Sequence, residues 1–150
     1  MGESSAKPEI DRYLLAISSP ESFLNVDLEI FSRSPIEPLV AAFGRKVQAL
    51  YMGLEFGLHK AVLETTGRPK SPDLCILRFC RLIQSLPARE QTLWNSAKAR
   101  TFDIGVQAPM RGRLYWSLIS AKAVRAAAEV NARIAMSVYN PKNSKRIRVR

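Results

Sequence analysis

Between Val26 and Ser32 the chain alternates strictly, with apolar Val26, Leu28 and Ile30 separated by charged Asp27 and Glu29. A strand turns successive side chains to opposite faces, so this segment needs one covered face and one wet face. A sheet carrying it must have a layer of other elements on its apolar side. The first expectation is therefore an antiparallel sheet with helices packed mainly on one face, an α+β fold.

The remaining elements fit that frame. Ser34, Pro35, Ile36 and Glu37 have the spacing of a capping box with proline at the first helical position, which predicts a helix from Pro35. Pro38 removes another donor from the first turn and Gly44 can close a left-handed cap, so this helix should be short. Val47 to Leu54 and Leu58 to Thr65 read as a hairpin around a turn at Gly53 to Gly57. Ser71 and Pro72 open an amphipathic helix with Ile76, Phe79, Ile83 and Leu86 on one side and Arg78, Arg81 and Gln84 pointing elsewhere. A further helix should run from Pro87 to about Arg100, burying Leu93, Trp94 and Ala97.

Phe102 to Ala108 and Leu114 to Ile119 are expected as strands joined by a turn at Pro109 and Gly112. Ser120 should cap a helix with Val124, Ala127 and Ala128 inward, and Arg133 to Tyr139 should form the last strand. Arg12 to Ser18 fits a strand or a short helix. The predicted core includes Phe79, Ile83, Ile104, Val106, Trp116 and Val138. At 150 residues the chain can bury roughly 70% of the surface its unfolded form exposes, which suits one domain over residues 10–139 between a polar N-terminal tail, 1–9, and a basic C-terminal tail, 140–150.

Val26 to Ser32 and Phe102 to Ala108 share a pattern of apolar residue, Asp, apolar residue and then a β-branched residue two further on, as two duplicated halves would. The run from Phe102 through Tyr139, with its Phe-Asp-Ile-Gly-Val strand, its Ala-rich helix and Ala132-Arg133-Ile134 leading to Val138-Tyr139, resembles the C-terminal part of uncharacterised bacterial α+β domains. Some of those are similar to suspected immunity proteins found beside toxin genes. The resemblance covers about a quarter of the chain, rests on packing motifs and implies no catalytic residues.

The chemistry-bearing residues are sparse. His59 is the single histidine and no Gly-x-Ser-x-Gly elbow accompanies it, so a catalytic triad has no base to build on except this residue. Cys75 and Cys80 lie five apart in one predicted helix, roughly 8 Å between Cα atoms, too far for a disulfide, and read as buried small hydrophobes. With one histidine and these two thiols, no tetrahedral zinc set assembles locally. Gly53 and Gly57 lack both the phosphate-loop and the dinucleotide spacing. Asp27, Glu29 and Asp103 lie on wet strand faces, where they could pair as acid and base or hold a divalent metal, or serve to deter edge pairing. No catalytic, cofactor or metal site is expected on this basis.

Charge is divided unevenly. Residues 1–64 hold six Lys and Arg against nine Asp and Glu, whereas residues 65–150 hold seventeen against four, which together make the net +10. Lys142, Lys145, Arg146, Arg148 and Arg150 supply half of that excess in the final eleven residues, a polyanion-binding pattern that does not read sequence. Arg111, Arg113 and Tyr115 are further candidates, with Trp116 turned inward beside Leu114 and Leu118. No basic start followed by an apolar run opens the chain, and nowhere do about eighteen apolar residues run together, which leads to the expectation of a cytoplasmic protein without membrane insertion. Three functions follow as expectations: a non-enzymatic domain with a protein partner, most specifically an immunity or accessory protein; a nucleic-acid-binding domain using the basic half and tail; or, third, an enzyme whose active site is assembled from distant residues that leave no local trace.

Overall fold

The structure, a computed structural model, describes residues 9–10, 22–108 and 117–140. Its elements follow in the order β1 (Phe23–Ser32), α1 (Glu37–Phe43), a 3-10 turn (Gly44–Lys46), β2 (Val47–Glu55), β3 (Leu58–Thr65), α2 (Pro72–Gln84), α3 (Ala88–Ser96), β4 (Ala99–Gln107), α4 (Ala121–Glu129) and β5 (Arg133–Tyr139). The five strands lie in the order β2-β3-β1-β4-β5, antiparallel throughout except for the parallel β4–β5 pair. This is the expected α+β fold. A parallel neighbour needs a crossover, and α4 provides it.

The alternation at β1 decides the two faces. Val26, Leu28 and Ile30 are fully buried beside Ala61 and Leu63 of β3 and Phe102, Ile104 and Val106 of β4. Helices cover that side with Ile76, Phe79 and Ile83 from α2, Trp94 from α3, Leu39 and Phe43 from α1, and Ala123 and Ala127 from α4. Phe79 meets Phe102 with ring centroids 5.7 Å apart. Burying one such aromatic pair contributes several kcal/mol of transfer free energy.

Helix ends explain where the elements stop. Ser71 accepts from the Leu74 amide at 3.2 Å and Ser120 from the Ala123 amide at 3.1 Å, so both expected serine caps form. Asn131, at φ 56°, closes α4: its amide donates to the Ala128 carbonyl and the Ala132 amide to that of Ala127, a Schellman closure. Ser34 does not cap α1. Its amide instead donates to the Ser32 hydroxyl at 3.1 Å, and the helix starts at Glu37, two residues later than expected. Gly44, at φ 62°, does end α1.

Several further expectations are corrected. Gly53 belongs to β2 opposite Lys60, and the hairpin turn is made by Phe56 and Gly57 alone. Arg100 lies in β4, because α3 ends at Ser96 and the Arg100 guanidinium reaches back to its last carbonyls, donating to those of Trp94, Asn95 and Ala97. Residues 117–120 form no strand, Leu118 is exposed, and both edges of β4 are already taken by β1 and β5. Residues 114–116 of the expected Leu114–Ile119 strand, and the expected turn at Pro109 and Gly112, lie outside the described residues. Ala123, Ala127 and Val130 face inward from α4, whereas Val124 and Ala128 are exposed.

Val138 is 62% exposed, contrary to expectation. It pairs with buried Val106, but α4 leans on α2 more than on β5, which leaves the apolar side of the edge strand uncovered by the described residues. Phe79, Ile83, Ile104 and Val106 are buried as expected. Trp116 and the Arg12–Ser18 segment lie outside the described residues.

Candidate functional site

Three surface features result from this layering. The first is the sheet face away from the helices, where the register puts Gln48, Glu64, Asp27, Asp103 and Ala135 in one row across all five strands. Three carboxylates therefore stand side by side on the three central strands, with Glu29 beside them on β1. Burial, then the nearby charges of Glu64, Asp103 and Glu29, raises the Asp27 carboxyl to about 7. The Asn25 amide donates to Asp27 at 2.8 Å and lies 3.4 Å from Glu64, while the Ser137 hydroxyl sits 2.9 and 2.7 Å from the two oxygens of Asp103. Tyr139 is also shifted upward, by burial and then by Asp103, Asp27 and Glu29. Asp27 and Asp103 occupy central strands, so guarding an edge is not their role.

Among the described residues no group of three or more His, Cys, Asp and Glu side chains is arranged to hold a metal ion. His59 is half-buried in β3, opposite Ser32 and Leu54, away from the carboxylate row. Cys75 and Cys80 are unpaired and buried, and burial pushes both thiols up to about 11, which makes them poor nucleophiles at neutral pH.

The second feature is the edge strand β2 and its turn. Leu50, Tyr51, Met52, Leu54 and Phe56 are all exposed, Leu54 by 67% and Phe56 by 90%. A register shift between Ala49 and Tyr51 marks a bulge at Leu50. On the other side of this hairpin, Lys60 pairs with Glu55 at 3.1 Å and lies over the rings of Phe31 and Tyr51. The turn is unusual in composition. Phe56 and Gly57 both have positive φ, 54° and 74°, as a two-residue hairpin turn requires, yet the first of these positions normally holds Asn, Asp or Gly.

The third feature is a cleft of about 330 Å³ lined by Lys46, Thr66, Arg78, Arg81 and Leu82. Its walls come from the 3-10 turn, the end of β3 and the outer face of α2.

The polyanion candidates read from the sequence, Arg111, Arg113, Tyr115, Lys142, Lys145, Arg146, Arg148 and Arg150, lie outside the described residues. Sequence reading missed Lys46 and Thr66 entirely and passed over Arg78 and Arg81 as an outward helix face. Their i, i+3 spacing was the available signal. No helix among the described residues is long and apolar enough to cross a membrane. Comparison with protein-family models, curated proteins and solved structures gives no match.

Proposed function

We propose that this chain is a non-enzymatic domain that binds another protein through the β2 edge and the β2–β3 turn, with an immunity or accessory role as its most specific form. The observation that carries the reading is Phe56. A bulky residue in the left-handed region costs on the order of 1 kcal/mol relative to glycine, and a side chain 90% exposed recovers almost none of it by packing. Folding alone would favour Asn-Gly at this turn. A phenylalanine held there at a cost to stability is better explained by a contact made with a partner, since aromatic anchors dominate interface energetics. Leu54, Met52 and Leu50 extend the same apolar surface along β2, the edge strand of the sheet among the described residues, and an edge backbone can accept a partner's strand.

The test is affinity purification of full-length chain, F56N and L54E/F56E from the native host at moderate salt. A stoichiometric protein that copurifies with the parent and is lost with both variants is the expected result. Copurification of nucleic acid, unchanged by either variant, would replace this reading with the nucleic-acid one, which rests on the +13 excess of residues 65–150.

A further inference from the structure

We propose that the cleft between the 3-10 turn and α2 binds a small, multiply charged phosphate ligand, an oligophosphate group, independently of the β2 edge. Its walls are tied to one another before any ligand arrives. The Thr66 amide donates to the Lys46 carbonyl at 3.0 Å, the Thr66 hydroxyl donates to the Arg45 carbonyl at 3.1 Å, and Arg78 Nη1 donates to the Thr66 carbonyl at 2.9 Å. A guanidinium has five N–H donors, so Arg78 is positioned by one and has others to offer.

Gly67 turns the chain beside this arrangement. It has φ 84°, and a Cβ there would come within 3.4 Å of Arg78 Nη1. A Cβ would meet the guanidinium only at ordinary contact distance, so it is the positive φ that favours glycine here.

The electrostatics are one-signed. Lys46, Arg78 and Arg81 line the cleft with no carboxylate among the lining residues, and none of the three forms an ion pair with a described residue. Arg78 and Arg81 are neighbours on one helix face, where like charges repel. Arg81 lies in the last turn of α2 and Lys46 ends the 3-10 turn, positions where a cation is favoured for its own sake, but Arg78 lies in the middle of α2 and has no such reason. An anion bridging the three relieves the repulsion, and the planar guanidinium forks match phosphate oxygens in pairs.

Size and lining choose the ligand class. About 330 Å³ is at the small end of ligand pockets. Leu82 is the one apolar lining residue and no aromatic side chain is present for a base to stack on, so recognition falls on the phosphates.

The experiment is calorimetric titration of the full chain with inorganic tripolyphosphate at ~0.15 M salt, repeated with K46A/R81A and with a chain lacking residues 141–150. The expected result is saturable 1:1 binding, weakened by about tenfold or more in the double variant and unchanged by the truncation, with thermal unfolding of the unliganded variant close to that of the parent. K46Q/R81Q gives the same reading should the alanine pair fail to fold. The proposal is overturned by absence of saturable binding, by affinity that survives the double substitution, or by affinity lost with residues 141–150. A single-stranded oligonucleotide that displaces tripolyphosphate and binds more tightly would likewise overturn the assignment to a small ligand.

Discussion

Asp27 and Asp103 stand opposite one another on the central strands β1 and β4, on the sheet face that the helices leave open. Glu64 flanks Asp27 from β3. Three carboxylates in a row at the middle of the sheet run against the net charge of +10 that the chain carries.

The row makes stability depend on pH in an unusual direction. The Asp27 carboxyl is raised from 3.8 to about 7 in the fold. Between these values the folded chain holds a proton that the unfolded chain has lost, so the Asp27 contribution to stability falls as pH rises through this window and levels off above about 7. D27N removes the cost of ionisation. We expect it to stabilise the domain by on the order of 2–4 kcal/mol at pH 8 and by little at pH 4.5. Thermal unfolding of both chains across that range checks this, and a difference independent of pH would refute it.

Replacing Phe56 separates folding from function. F56N should raise the unfolding free energy by about 0.5–1 kcal/mol, because asparagine tolerates the left-handed turn position. The same substitution should reduce partner capture. Stability falling on F56N, measured by urea denaturation, would show that the exposed ring contributes to the fold.

Arg100 serves the end of α3. Its guanidinium donates to the Trp94, Asn95 and Ala97 carbonyls, its Nε donates to the Asn131 carbonyl, and it lies over the Trp94 ring. We expect R100A to destabilise by about 2–3 kcal/mol and R100K to recover only part of this, since an ammonium lacks the planar fork. Chemical denaturation monitored by Trp fluorescence reads both.

Asp73 joins two helix starts. Its carboxylate accepts from the Ser120 amide at 2.7 Å and from the Ser120 hydroxyl at 2.8 Å, which fixes the first turn of α2 against the first turn of α4. D73A should cost about 1–3 kcal/mol, and a double-mutant cycle with S120A should show coupling of about 0.5–2 kcal/mol. Additive effects would deny the link.

The basic tail has its own expected signature. If the chain binds duplex DNA through Lys142, Lys145, Arg146, Arg148 and Arg150, removing residues 141–150 should make the log-log salt slope shallower by roughly four. Equal slopes for full and truncated chains exclude that route.

The sheet was legible where side-chain alternation met a clear end signal. Arg133–Tyr139 matches β5 at both ends, and Ser71 and Ser120 cap the helices they announce. Ser34 misled because its spacing to Glu37 fits a cap, but the amide of Ser34 is occupied by the Ser32 side chain. The sequence pattern carries the helix on to Arg100 because nothing local shows that a strand residue satisfies the carbonyls of the helix before it. Val138 alternates like a buried residue, and its exposure follows from strand order and from where α4 rests, neither of which periodicity encodes. Asp27 and Asp103 are visible as an echo between two strands, but their pairing, and the placing of Glu64 beside Asp27 from β3, depend on register. The cleft draws Lys46, Thr66 and Arg78 from three separate segments, so only the Arg78–Arg81 spacing was in view.

The strand order also has a consequence for biosynthesis. β1 completes its first partnership with β3 soon after the hairpin is made, but sixty-six residues separate its end from the start of its second neighbour, β4. At about 5–20 residues per second a ribosome takes about 3–13 s to cover that distance. Through that interval the strand destined for the middle of the sheet has an open edge and an apolar face, so the nascent chain is most vulnerable to aberrant pairing while α2 and α3 are being made.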